Sequence, residues 1–328
     1  MIARPDHMKK APVSRLGLLD AAGQEFVAAG FSGLLPVDAG VERHLRGVID
    51  DTLSHPGSLA RAHLAYSLMR SFEFDPDVAR HLGVAIEYFH TASLLLDDLP
   101  CMDNATMRRG TTCPHIVHGE AAAILGALAL ITRAYNLLWS VFDGVSRDNR
   151  NKAAELVHQC LGVKGILNGQ SYDLHFSESD RRKEDVLRVA QGKTVTLIRL
   201  TLLLPVHIHG AGPAVVELVE RLAASWGLAY QILDDFKDLV MSDAETGKTT
   251  ARDEHLDHPN LPRVMGVARA ADVLAGQLEE SRGVIAALYR LIPGSEVLDR
   301  LQSMLETEQG NVHARLRTCH ANRAITFA

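Results

Sequence analysis

Residues 82–96, LGVAIEYFHTASLLL, carry a single charge, Glu87, and residues 222–233, LAASWGLAYQIL, carry none. Each run is long enough for several helical turns. A helix that is apolar nearly all round is buried on most sides. These two stretches therefore belong at the centre of a helical bundle. Outward from them the chain reads as helix after helix, at 14–29, 38–54, 58–72, 76–99, 119–142, 150–176, 181–204, 213–242, 262–290 and 294–308. No segment sustains an alternating, β-branched pattern. The spacing predicts one all-α domain of about ten helices, spanning 1–328 without a linker or internal repeat.

Composition agrees. Of 328 residues, 47% are hydrophobic and only 5% aromatic, with Ala, Leu and Val dominant, which favours helix over sheet. The net charge of −6 argues against a broad nucleic-acid surface. Cys101, Cys113, Cys160 and Cys319 show no CxxC spacing, so a reducing cytoplasm is expected and a disulfide framework or zinc site is not. The N-terminal stretch lacks a signal-peptide core. A membrane span needs about 20 mostly apolar residues. The runs from Ala121 and at 200–216 read as buried helices instead, so no stable membrane insertion is expected.

Both central helices run directly into aspartates. The first continues as DDLPCMDNATMRRG, with Asp97, Asp98 and Asp103, and the second as DDFKD, with Asp234, Asp235 and Asp238. Pro100 cannot continue the first helix, so Asp97 and Asp98 fall in its last turn, where the helix dipole disfavours negative charge. A cationic partner resolves that cost. Asp234 and Asp238 are spaced i, i+4 and share a face that Gln231 joins. Asp97 and Asp103 can cooperate only if the chain turns between them. All-oxygen ligand sets suit hard cations, and magnesium is usually held by one or two carboxylates plus substrate phosphates. Two facing acidic clusters thus point to a diphosphate clamped through metal ions.

Basic groups lie where such a ligand needs them. Arg108 and Arg109 follow the first cluster, and Lys193–Thr194 and Lys248–Thr249 sit in two GKT triplets. Neither triplet is a P-loop. The required earlier glycine is Leu187 in one and Ser242 in the other, and no strand precedes either. The pairs His115/His118 and His207/His209 lack a third ligand and read as structural.

HTASLLLDDLPCMDNATMRRG resembles the first aspartate-rich motif of trans-polyprenyl diphosphate synthases, and GLAYQILDDFKD resembles the second. GQSYDL at 169–174, GKT at 192–194 and GKTTARD at 247–253 extend the likeness, which runs from about residue 40 to residue 265. The DDLPCMD form after TAS is most similar to bacterial geranylgeranyl diphosphate synthases. The resemblance implies an isoprenoid-synthase bundle around a deep central cavity, usually a homodimer. The activity implied is magnesium-dependent head-to-tail condensation of an allylic diphosphate with isopentenyl diphosphate. It implies about three magnesium ions per site, bound through substrate phosphates. Asp97, Asp103 and Asp234 would hold metal, with Asp98 and Asp238 supporting. Arg108, Lys193, Thr194, Gln231 and Lys248 would hold the allylic diphosphate, and Arg61, His90 and Arg109 isopentenyl diphosphate. Asp97, Asp98, Asp103, Arg108, Lys193 and Asp234 would carry the catalysis.

The chain departs from the family pattern in places. Where the family usually reads GGKxxR, this chain reads Pro56-Gly57-Ser58-Leu59-Ala60-Arg61, so Arg61 is kept but a lysine is replaced by Ser58. His258 stands where a lysine often lies, and Lys237 sits inside the second acidic motif. The family's short-product enzymes carry a bulky aromatic five residues before the first aspartate. Here that position is Ala92, beside a small Ser93 and with Phe89 one turn below. A deeper floor and a twenty-carbon product, geranylgeranyl diphosphate, are expected, with farnesyl diphosphate as the alternative. A terpene cyclase would carry an N-D-x-x-S-x-x-x-E second motif in place of DDFKD. A non-catalytic regulatory subunit would usually lack one acidic cluster.

Overall fold

The computed structural model describes residues 17–240 and 259–325. Its long helices are α1 (Ala21–Gly33), α2 (Arg43–Ser54), α3 (Ala60–Ser71), α4 (Pro76–Asp97), α6 (Glu120–Phe142), α7 (Arg147–Leu161), α10 (Thr196–His209), α11 (Pro213–Val240), α13 (Val267–Leu288) and α14 (Glu296–Ile325). Shorter pieces join them: α5 (Pro114–His118), α8 (Ile166–Leu174), α9 (Lys183–Ala190) and α12 (Leu261–Met265). The all-α expectation holds.

The two apolar runs are the heart of the bundle. α4 packs between α3 and α6, and α11 between α10 and α13. Tyr88, Trp226 and Phe236 are among the largest fully buried side chains. Trp226 donates to Gln302 Oε1 at 2.8 Å, and Ser281 Oγ donates to the same oxygen at 2.7 Å, so one buried amide ties α11, α13 and α14 together. Such a satisfied polar cluster fixes how the helices meet. Helix starts follow capping chemistry. Asp75 precedes Pro76 and accepts from the backbone N–H of Asp77 at 2.8 Å.

Several boundaries differ from the sequence reading: the helix expected at 14–29 is Ala21–Gly33, and the one expected at 294–308 runs on to Ile325. The helix expected at 150–176 is two, because Gly162 and Gly165 interrupt it; a Cβ at Gly165 would stand 2.1 Å from the Cys160 carbonyl oxygen. The helix expected at 262–290 is also two, broken at Gly266, whose φ of +89° ends α12. The one expected at 181–204 runs on through Pro205 to His209 and stops at Gly210, φ +82°. A two-residue antiparallel hairpin, β1 (Met107–Arg108) with β2 (Thr111–Thr112), follows the first acidic cluster. Strands this short leave no periodicity to read.

α6 and the segment Lys183–His209 are each long and apolar enough to cross a membrane by length and composition. Both pack within the bundle, but α6 keeps one apolar face outward. Leu125, Leu128 and Trp139 are 52%, 50% and 70% exposed.

Candidate active site

A cavity of about 630 Å³ opens between the C-terminal end of α4, the β hairpin, α8, the α9–α10 junction and α11. Asp97, Arg108, Lys193 and Asp234 share its wall.

The first acidic cluster is shaped by a turn. α4 stops at Asp97, and the chain folds back so that the Asp103 N–H donates to the Asp97 carbonyl at 2.8 Å. Pro100 forces this reversal, as the spacing required. Asp97 and Asp98 then diverge. Asp98 is 2% exposed and accepts the Arg108 guanidinium at 2.6–2.9 Å through both carboxylate oxygens. A bidentate pair of this kind fixes the guanidinium plane. Asp97 faces the cavity, 3.6 Å from Lys193 Nζ. Burial pushes its carboxyl up to about 6; Lys193 opposes this, and Asp103 adds to it.

Lys193 has a further anchor that sequence reasoning missed. Asp173, from the GQSYDL stretch on α8, accepts from its Nζ at 2.7 Å and is 7% exposed. The lysine sits in a π-helical turn, Gln191–Val195, where α9 passes into α10. A widened turn redirects side chains and is common at functional sites. Its cause is a close crossing with α8, since a Cβ on Gly169 would stand 2.3 Å from the Gly192 carbonyl carbon. Gly169→Ala should force this turn outward and cost roughly 1–3 kcal/mol in overpacking. A thermal melt together with kinetics checks it; an unchanged turnover number would show that the crossing does not hold Lys193.

On the second cluster, Thr194 Oγ1 donates to Gln231 Oε1 at 2.5 Å, and Gln231 Nε2 donates to Asp235 Oδ1 at 2.7 Å. Asp235 is 3% exposed and also accepts the Leu261 N–H at 2.8 Å, so it ties α11 to α12. Burial drives its carboxyl up to about 7, against the lowering effect of those hydrogen bonds. A carboxyl raised in the folded state favours folding while protonated, and that contribution is lost as pH climbs through about 7. Asp235→Asn should therefore gain on the parent in melting temperature between about pH 4 and 7, by roughly 2–4 °C per kcal/mol relieved. Melting curves across that range test it; a pH-independent difference contradicts the burial argument.

The third group of cations sits beside α3. Arg61, His90 and Arg109 line the cavity with Gly57 and Ser58. Arg109 adopts φ +54° and donates to the His55 carbonyl at 2.9 Å. Its guanidinium lies over Gly57, where a Cβ would come within 2.5 Å of Nε. Beneath them Glu87, 2% exposed, accepts the Ala62 N–H at 3.2 Å; burial raises its carboxyl, and Arg61 and Arg109 oppose that rise. Burial, then Arg61 and Arg109, hold His90 well below its usual range, so it is neutral near pH 7.

Not every expected residue reaches the wall. Ser93 lines the cavity, whereas Ala92 is 0% exposed and Phe89 6%; both stand off its lining. Asp98, Asp103 and Gln231 are also off the lining, as is Asp238, one turn beyond Asp234 on α11. Lys248 and His258 lie outside the described residues. His118 pairs with Asp51 at 2.5 Å, in keeping with its structural reading.

The donor set suits a hard cation. Asp97, Asp103 and Asp234 offer oxygen only, and the raised Asp97 carboxyl marks a place where added positive charge is welcome. Among the described residues no three acidic, His or Cys side chains gather closely enough to enclose an ion alone.

Fold and site together give an all-α bundle with a cavity walled by acidic and basic side chains. The chain belongs to the polyprenyl synthetase family, whose model matches residues 42–291. It is 31% identical over 228 residues to geranylgeranyl diphosphate synthase of Pseudescherichia vulneris, covering 65% of this chain and 73% of that one. Farnesyl diphosphate synthase of Geobacillus stearothermophilus is 30% identical, covering 70% and 78%. Against the chloroplastic geranylgeranyl pyrophosphate synthase of Catharanthus roseus, 31% identical, the chain spans 61% of the relative's length. In fold it is similar to a Helicobacter pylori geranyltransferase solved with magnesium and isoprenyl diphosphate, TM-score 0.73 at 23% identity, covering 88% and 98% of the two chains. A Legionella pneumophila geranyltransferase gives TM-score 0.74 at 20% identity over 88% and 95%.

Proposed function

We propose that this protein condenses an allylic diphosphate with isopentenyl diphosphate head to tail, and that its main product is the twenty-carbon geranylgeranyl diphosphate. The carrying observation is the shared wall of one cavity, on which Asp97, Asp234, Arg108 and Lys193 stand together. Arg108 and Lys193 are each pre-set by a buried carboxylate, Asp98 and Asp173. Preorganised cations of this kind stabilise charge that develops on a departing diphosphate. Asp97, Asp103 and Asp234 would hold magnesium, with Asp98 and Asp238 supporting, and when bound it would add electrophilic stabilisation of that charge. Lys193, Thr194 and Gln231 orient the allylic diphosphate, with Lys248 as a further cation from the sequence. Arg61, Arg109 and neutral His90 hold isopentenyl diphosphate on the opposite wall. Leu94, Leu96, Ile166, Leu167 and Leu197 on the cavity lining shelter the allylic cation from water while the double bond attacks. The released diphosphate is assigned the final proton, as the family resemblance implies.

The outward apolar face of α6 supports a homodimer, with Trp139 its most exposed member. Sedimentation of Trp139→Glu against the parent checks this, a monomer being expected. A cytoplasmic location is proposed. Small diphosphates are the partners proposed, not nucleic acid or a membrane. The deciding experiment is incubation with magnesium, isopentenyl diphosphate and dimethylallyl, geranyl or farnesyl diphosphate, followed by dephosphorylation and chromatography. Twenty-carbon alcohol is expected. A fifteen-carbon end product selects the farnesyl reading, a cyclic hydrocarbon a cyclase, and no product a regulatory subunit.

A further inference from the structure

A second cavity, of about 230 Å³, is walled by α2, α4, the β hairpin and α5. Arg108 and Arg109 line it as well as the catalytic cavity, so those two residues stand between the cavities. Thr52 of α2 and Thr91 of α4 also line it, and they are 8% and 3% exposed. Neither hydroxyl has a hydrogen-bond partner among the described residues. We infer that this second cavity is a binding site for a small neutral alcohol, held through the hydroxyls of Thr52 and Thr91.

The lining selects that chemistry. Buried polar groups are nearly always bonded, and an unpaired one bears its full desolvation cost. The other polar side chains of the lining are already committed. Asp98 holds Arg108, Asp51 pairs with His118, and Arg109 donates to the His55 carbonyl. His55 Nδ1 donates to the Asp51 carbonyl at 2.8 Å, and Thr111 donates to the Arg108 carbonyl at 3.0 Å. Thr112 is exposed at the mouth. The two guanidinium charges are matched by the carboxylates of Asp51 and Asp98, so the lining calls for no charged guest. Leu94, Leu95, Pro114 and Val117 make the rest of the wall apolar. An alcohol oxygen has one donor and two acceptor sites, enough for a bond to each threonine while its hydrocarbon covers the leucines. Water suits the space less well. One water takes up about 10–15 Å³ and needs about two to four polar partners, so this volume admits many waters that two uncommitted hydroxyls cannot hold. Poorly held water is displaced favourably by an apolar group. The volume also lies below the roughly 300–1,000 Å³ of pockets for drug-sized ligands, which sets the guest at about five carbons.

Neither threonine has a part in the proposed condensation, and the test needs no diphosphate, so the two readings stand or fall separately. The probe is 3-methylbutan-1-ol, titrated into the full chain and followed by saturation-transfer NMR on the alcohol. Saturable binding with a Kd of roughly 1 mM is expected for a ligand with so few heavy atoms. Loss of one hydrogen bond weakens binding by about three- to tenfold, so the double variant Thr52→Val/Thr91→Val should bind at least about tenfold more weakly than the parent. A smaller loss places the alcohol in the catalytic cavity and overturns the inference, as does a parent that shows no saturable binding. Two charged molecules of the same skeleton, 3-methylbutanoate and 3-methylbutan-1-amine, should each bind the parent at least about tenfold more weakly than the alcohol. A smaller difference for either one overturns the assignment of a neutral guest. Stability supplies an independent readout. Replacing an unpaired buried hydroxyl with a methyl group of the same shape removes a desolvation cost, so both valine variants should melt at or above the parent temperature. A lower melting temperature, or failure to fold, shows that the hydroxyls are bonded within the protein and also overturns the inference.

Discussion

Asp97→Asn and Asp234→Asn should each lower the turnover number by roughly 10²–10³-fold or more, measured at saturating magnesium, while the fold survives. The reason is visible at Asp97. Its carboxyl is 8% exposed, and burial lifts it to about 6, with Lys193 opposing and Asp103 reinforcing. A carboxylate so placed is under-compensated in the metal-free protein. Its folded-state value is raised, so it favours folding while protonated, and that contribution disappears as pH rises through about 6. Asparagine removes the charge that burial penalises, and the melting temperature above pH 7 should hold or rise. The same charge is what a magnesium ion needs. Magnesium affinity should accordingly fall as pH drops through about 6 in the parent, because proton and metal compete for one group. Asp234 plays the facing part on α11, on the same cavity wall. Normal turnover in Asp234→Asn at saturating magnesium would break the assignment. A melt lowered by several degrees in Asp97→Asn would mean that the carboxylate is structural.

What could be read from the sequence was local; what could not was settled across helices. The reversal that brings Asp103 back to Asp97 was legible because Pro100 ends a helix whatever surrounds it. The burial of α4 and α11 was legible because both are apolar on every face. Asp173 and Glu87 were not. Each is a lone acidic residue on a helix, and nothing in its neighbours says that it will be buried against Lys193 or beneath Arg61 and Arg109. Asp234 and Asp235 look equivalent in DDFKD, yet one faces the cavity and the other anchors α12. Only the partner helices distinguish them. The π-helical turn at Lys193 likewise has its cause outside its own segment, in the contact between Gly192 and Gly169. The glycines at 162 and 165 were visible signals, and their close backbone approach shows why they end a helix here rather than being tolerated inside one.

Ser93→Tyr should stop the product at fifteen carbons, and Phe89→Ala should let it grow past twenty. The growing chain has its diphosphate fixed near Asp97 and must run down the face of α4. Along a helix axis Ser93 lies about 6 Å and Phe89 about 12 Å below Asp97. Ser93 lines the cavity, so a tyrosine ring there projects directly into the path of the chain. Phe89 is one turn deeper and 6% exposed, with its ring edge-on to Tyr135 of α6 at 5.0 Å between centroids and 75° between planes. That contact fixes the ring behind the cavity face of α4, one turn below Ser93 and off the present lining. Removing it opens depth, at a cost of about 3–5 kcal/mol for Phe→Ala in a packed interior. Phe89→Leu is the companion variant should the alanine form melt too low to assay. Ala92, expected from the sequence to border the floor, is fully buried and off the cavity wall. Ala92→Tyr therefore overpacks the interior by about 1–3 kcal/mol. It can shorten the product only by shifting α4, so it should lower the melting temperature more than Ser93→Tyr does. Chromatography of the dephosphorylated products decides the matter. A parent that stops at fifteen carbons, or a Ser93→Tyr enzyme that still reaches twenty, places the floor somewhere other than this face of α4.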